Sequence, residues 1–179
     1  MKTFKKFLEN HQDESGITNS EEGTIPYRIY CDLDGVLVDL NKGIADATGL
    51  VSTSKGVDLR AIVHLRKSGH SISDFFSNLD WTPDGKNLWN FLRPYNPWIL
   101  TGGSDGNDVT NGKIDWCRKN LNIDLNKIIV DSNKSRYASS NAILIDDYYK
   151  NVNYFRQAGG IGIIHLNSVK SIEQLKEYF

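Results

Sequence analysis

The segment Cys31-Asp32-Leu33-Asp34-Gly35-Val36-Leu37-Val38-Asp39 sets two carboxylates two residues apart where an apolar run closes. Alternate residues at a strand end can face one pocket. Asp32 and Asp34 could together hold a hard cation through oxygen. Alternatively, one could attack phosphorus while the other moves a proton. Gly35 lets the backbone turn away from them. A surface turn rich in Asp would be written the same way, so the other polar signals matter. Thr101-Gly102-Gly103-Ser104 is a hydroxyl followed by small residues, whose exposed N–H groups could cradle an anion. Lys134 could neutralise phosphate charge, although most single lysines are simply solvated. Asp146-Asp147 follows Ile143-Leu144-Ile145 and could complete a magnesium site, or merely cap a turn before a helix.

The order of these signals becomes informative once the elements that carry them are read. Apolar runs from Tyr27 to Cys31, Trp98 to Leu100, Lys127 to Val130, Ala142 to Ile145 and Ile161 to His165 predict five strands. Helical stretches from Thr110 to Leu121, Tyr148 to Ala158 and Val169 to Tyr178 alternate with them. This alternation predicts a three-layer α/β domain with a Rossmann-like parallel sheet. Ligands of such sheets lie at the carboxyl ends of the strands, where Asp32, Thr101, Lys134 and Asp146 all fall. Between Asn41 and Pro97 no strand is convincing. Four short helices are predicted there: Asn41 to Thr48, Val57 to Lys67, Ile72 to Leu79 and Asp84 to Leu92. Inserted after the first strand, they would form a small helical cap over the site. The expected division is residues 1–26 as a short amphipathic helix with a polar mobile segment, 27–40 with 98–179 as the core, and 41–97 as the cap.

These motifs, in this order over residues 27 to 167, resemble those of the haloacid dehalogenase superfamily of phosphotransferases. Within it the chain is most similar to the 5′(3′)-deoxyribonucleotidases: the Asp-x-Asp-Gly-Val-Leu segment, the spacing from Lys134 to Leu144-Ile145-Asp146-Asp147, and Lys113-x-x-Trp116 on a helix. The resemblance implies that Asp32 forms an aspartyl-phosphate and that Asp34 serves as general acid, then as base. It implies magnesium held by the Asp32 side chain, the Asp34 carbonyl and the Asp146-Asp147 pair; Asp147 is favoured as the direct ligand with Asp146 as helper, and the sequence leaves open which of the two it is. Thr101, Gly102 and Lys134 would bind phosphate. The chain departs from the family at Gly102-Gly103-Ser104, where small-then-Pro is usual, and at Ser132, where Arg is common.

The implied activity is magnesium-dependent hydrolysis of a phosphate monoester, in particular a nucleoside monophosphate. Another metabolite phosphate, a nucleic-acid 3′ end, or a non-catalytic protein keeping the fold are the alternatives. Phe75, Phe76 and Trp81 in the insert could stack on a base, the competing reading being that they form the insert's own core. Asp39 is expected to cap the following helix, and Cys31 to be a buried inert thiol.

Composition fits these expectations. The chain has 179 residues and a net charge of −1, with a pI near 6.4 and mean hydropathy of −0.43. Strong duplex nucleic-acid binding is not expected from such a balance. Two cysteines without a CxxC pair exclude a disulfide framework and a zinc finger. No apolar run is long enough for a membrane span, and a cytoplasmic location is expected. A small cap leaves room for homodimer contacts. Residues 1–9 also resemble the N-terminal segments of some T-even-type phage internal capsid proteins, which would make the location a host cytoplasm; nine residues match as readily by chance.

Overall fold

Buried parallel strands need apolar side chains on both faces, and the five predicted runs supply them. In the computed structural model, which describes residues 27–51, 59–103 and 107–179, they form a single parallel sheet. The strands are β1 (Arg28–Cys31), β2 (Trp98–Thr101), β3 (Ile128–Val130), β4 (Ala142–Asp146) and β5 (Ile161–Ile164), in the order β3-β2-β1-β4-β5. The chain winds outward from β1 through β2 to β3, then crosses back to the other side of β1. That reversal lies between β1 and β4, the point where α/β sheets open a crevice for ligands. Register sets Cys31 beside Ile145, so Asp32 and Asp146 leave the sheet as neighbours.

Between β1 and β2 lie α1 (Leu40–Thr48), α2 (Leu59–Lys67), α3 (Ile72–Ser77) and α4 (Gly85–Leu92); α5 (Asn107–Asn120), α6 (Tyr149–Gln157) and α7 (Ser168–Leu175) follow. Alternate strand residues point to opposite faces. Ile29, Cys31, Ile99, Ile143 and Ile145 pack with Leu88, Trp89, Trp116 and Leu175 on one face. Tyr30, Leu100 and Leu144 pack with Phe155 on the other. Leu88, Trp89 and Leu92 of α4 join that same buried cluster, and α4 lies beside α7. Asp39 accepts the Lys42 N–H at 3.0 Å and caps α1.

Two helix ends differ from expectation. α5 begins at Asn107 rather than Thr110, because Asn107 and Asp108 form a polar first turn that shows no apolar period; an acid there suits the helix dipole. α7 stops at Leu175, after which Tyr178 packs on Tyr27 and Phe179 on Phe91 and Tyr95. The readings made for residues 1–26 and for Ser104 to Gly106 lie outside the described residues, as does the start of the helix expected from Val57. Among the described residues no helix is long and apolar enough to cross a membrane.

The seam between α3 and α5 holds α5 against the site. The Trp116 indole N–H donates to the Leu79 carbonyl at 2.8 Å. Gly112 lets the helices touch: a Cβ there would lie 2.6 Å from both Phe76 Cβ and the Ser73 carbonyl oxygen. Helix propensity alone would favour Gly112→Ala by about 1 kcal/mol. The backbone contact leaves no room for that methyl, so destabilisation by roughly 1–3 kcal/mol is expected. Urea unfolding checks the sign.

Candidate active site

The turn after β1 is fixed on both sides. The Leu33 carbonyl accepts from Leu37 and Val38, each at 2.9 Å. Thr82 donates its N–H to the Leu37 carbonyl and its hydroxyl to that of Val36, each at 2.8 Å. Leu33, Val36, Leu37 and Val38 are buried. This apolar anchor turns Asp32 and Asp34 toward the crevice.

Asp32 donates its N–H to the Ile145 carbonyl. Its Oδ1 accepts from the Leu33 N–H at 2.7 Å and from Lys134 Nζ at 2.7 Å. Lys134 opens a short 3-10 turn, Lys134–Tyr137, and also reaches Asp146 Oδ2 at 2.5 Å. Asp146 is satisfied further by the Tyr148 N–H on Oδ1 at 2.8 Å and by Asn151 on Oδ2 at 2.9 Å. Burial works against a charged lysine here, but the Asp32 and Asp146 carboxylates outweigh it and raise the Lys134 pKa above its ordinary value. Asp34 gives Oδ2 to Lys113 Nζ at 2.6 Å. Its Oδ1 is buried with no hydrogen-bond partner. Burial raises the Asp34 pKa, and Lys113 only partly opposes the rise.

Thr101, fully buried at the end of β2, accepts from Lys113 at 3.1 Å, and the Gly102 carbonyl accepts from it at 2.6 Å. Ser132, at the position where a family Arg is common, donates instead to the Gly103 carbonyl at 3.0 Å. The Cys31 thiol is wholly buried, and burial with the Asp32 charge pushes its pKa well up. This is an unreactive state.

Asp32, Asp146 and Asp147 each offer an oxygen within 4.8 Å of the others. Four carboxylates, counting Asp34, face the two ammonium groups of Lys113 and Lys134. With all ionised, the four carboxylates outnumber these two ammonium groups, and burying an excess of one charge is expensive. An all-oxygen donor set with that excess suits a divalent cation such as magnesium. Gly35 adds to the fit: at φ +76°, its missing Cβ would lie 2.5 Å from Asp147 Oδ2.

The structure thus brings together Asp32, Asp34, Thr101, Gly102, Lys134, Asp146 and Asp147. It does not gather the three aromatic residues around one opening. Phe76 is fully buried, its ring 5.8 Å from Lys113 Nζ. Phe75 is half-buried and lines a groove with Gly43, Ala47 and Leu79. Trp81 packs edge-on to Trp116, centroids 4.8 Å apart, and lines a separate groove with Lys86, Arg93 and Lys119. Arg93 and Lys119 lie at the carboxyl ends of α4 and α5, where cations offset the helix dipole. Sequence reading placed neither Lys113 nor Asn151 at the site. Lys113 carries a signal: it sits within the buried stripe Val109, Gly112, Lys113, Trp116 and Cys117, where helical spacing calls for apolar residues.

No protein-family model matches the chain, and no curated protein sequence matches it. Solved structures do share its fold. A hydrolase from Streptococcus pneumoniae aligns over 86% of this chain and all of its own, at 12% identity and a TM-score of 0.54. The L-2-haloacid dehalogenase of Xanthobacter autotrophicus, with chloropropionic acid covalently bound, aligns over 75% of each chain at 13% identity and 0.52. A haloacid dehalogenase-superfamily hydrolase from Ehrlichia chaffeensis aligns over 87% of this chain and 98% of its own, at 14% and 0.50. The chain has the fold of haloacid dehalogenase-type hydrolases. At these identities the likeness extends to the fold alone.

Gly35→Ala tests the cation fit. Positive φ strain should destabilise the fold by roughly 1–3 kcal/mol in urea unfolding. The displaced Asp147 carboxylate should weaken magnesium binding about tenfold or more in calorimetric titration.

Proposed function

We propose that the protein hydrolyses phosphate monoesters through an aspartyl-phosphate on Asp32. The observation that carries this reading is the pairing of Asp32 with Asp34, a buried carboxyl kept protonatable and with one oxygen unpartnered. Oδ1 of Asp32 is occupied by Leu33 and Lys134, which leaves Oδ2 to attack phosphorus. The ester P–O bond breaks as Asp34 delivers its proton to the leaving oxygen. Water then attacks the phosphoryl group. Asp34, now a carboxylate, takes the water proton, and the Asp32–phosphorus bond breaks to release phosphate. Lys134, Thr101 and the Gly102 turn would hold the phosphoryl oxygens. Phosphoryl transfer is largely positioning and charge stabilisation, and these groups are fixed before substrate arrives.

Magnesium would be held by Asp32, the Asp34 carbonyl and Asp147, with Asp146 in support, since Lys134, Asn151 and the Tyr148 N–H already occupy both Asp146 oxygens. When bound, it would offset repulsion between an anionic nucleophile and an anionic substrate. The fold neighbour that holds chloropropionic acid raises a second reading, carbon–halogen cleavage. Halide leaves without a proton, so the Asp34 carboxyl and the extra Asp147 charge favour the ester. The finer reading, a nucleoside monophosphate, rests on the deoxyribonucleotidase resemblance. α1 to α3 would cover the opening of the site.

Phosphate release is measured with magnesium on 5′- and 3′-mono(deoxy)nucleotides, sugar phosphates and 2-chloropropionate, the last scored by chloride. Nucleotide turnover that chelator and Asp32→Asn abolish is expected, with Asp34→Asn slower by about 10²–10⁴-fold. Turnover of sugar phosphates only would retain the chemistry and overturn the nucleotide assignment. Chloride release alone would overturn both.

A further inference from the structure

Lys113 is among the most deeply buried side chains of the protein, at 1% exposure. A lysine buried to this degree normally loses its charge or finds partners. Its ammonium group has three donors, and the structure uses all of them: Asp34 Oδ2 at 2.6 Å, the Gly102 carbonyl at 2.6 Å and Thr101 Oγ1 at 3.1 Å. Two of these acceptors lie at the end of β2 and just after it, and one in the turn after β1. Nothing else described ties Asp34 in place, because its other oxygen has no partner. The Lys113 ammonium lies 5.8 Å from the Phe76 ring centroid, and its helix is held close to α3 at the neighbouring Gly112.

Building on the phosphatase reading above, we propose that Lys113 is a positioning residue that divides the labour between the two oxygens of Asp34. Oδ2 is anchored by the ammonium, and Oδ1 is thereby presented as the oxygen that carries the proton to the leaving group. The same ammonium fixes Thr101 and Gly102, so the proton donor and the phosphate-binding turn are held at one spacing. A carboxyl free to rotate would present either oxygen, and misplacement by an ångström is enough to slow proton transfer severely.

Leaving-group dependence tests this directly. A general acid matters for an alkyl phosphate, whose alkoxide needs a proton, and little for p-nitrophenyl phosphate, whose phenolate leaves without one. In Lys113→Met, kcat/KM for the alkyl ester, which reports the step that expels the alcohol and not the later attack of water, should fall about 10²-fold or more, and the loss in kcat/KM on the nitrophenyl ester should be at least about tenfold smaller. Asp34→Asn should show the same asymmetry, and the double variant should be little worse than either single one. Equal losses on the two esters would overturn the proposal, because a role limited to folding or to phosphate grip slows both alike. An unchanged alkyl rate would overturn it too. If Lys113→Met fails to fold by circular dichroism, Lys113→Gln, which keeps a donor for Gly102 without the cation, gives the same comparison. Asp32→Asn runs beside them: failure of that variant to abolish turnover of both esters would mark failure of the parent reading rather than of the role of Lys113.

Discussion

Four carboxylates cannot share one partly buried crevice unless something holds their charge. In this protein two lysines do so from different elements, Lys134 from the turn after β3 and Lys113 from within α5. Each is buried, and each bridges groups from separate strand ends. Lys134 joins Asp32 after β1 to Asp146 on β4, and Lys113 joins Asp34 to the turn after β2. Asp32, Asp146 and Asp147 converge, each offering an oxygen within 4.8 Å of the others. The architecture follows from that requirement. Reversal of strand order between β1 and β4 opens the crevice, and apolar residues beneath the Asp32–Asp34 turn keep the acids pointing into it.

Much of this was legible in the amino-acid order. A parallel strand buried on both faces is written as an unbroken apolar run, so Ala142 to Ile145 declared itself without alternation. The acids and Lys134 were legible because their positions at strand ends follow from those runs. Lys113 was harder. Taken singly, a lysine on a helix is nearly always solvated; the Lys113-x-x-Trp116 resemblance assigns it no role, and its place inside the stripe from Val109 to Cys117 is what marks it as buried. The partners it requires come from turns 12 and 79 residues away in sequence, which no local pattern reports.

The aromatic residues show the opposite limit. Phe76 and Trp81 have the residue type of a base platform, yet a core has the same preference for large flat side chains. Phe76 was drawn into the α3–α5 seam and Trp81 onto Trp116. Residue type alone cannot separate these outcomes, because packing against an element far along the chain decides them.

Bond formation between an Asp32 carboxylate oxygen and phosphorus is the step on which the proposed hydrolysis depends. The most direct measurement is a crystal structure of the full chain grown with magnesium and beryllium fluoride, a mimic of a phosphorylated carboxylate. Trifluoroberyllate bonded to Asp32 Oδ2 is expected, with Lys134 and Thr101 on its fluorines, the cation held by Asp32, the Asp34 carbonyl and Asp147, and the Asp34 carboxyl beside the adduct. Trifluoroberyllate bonded to another carboxylate, or a free Asp32 beside an occupied cation site, would contradict it.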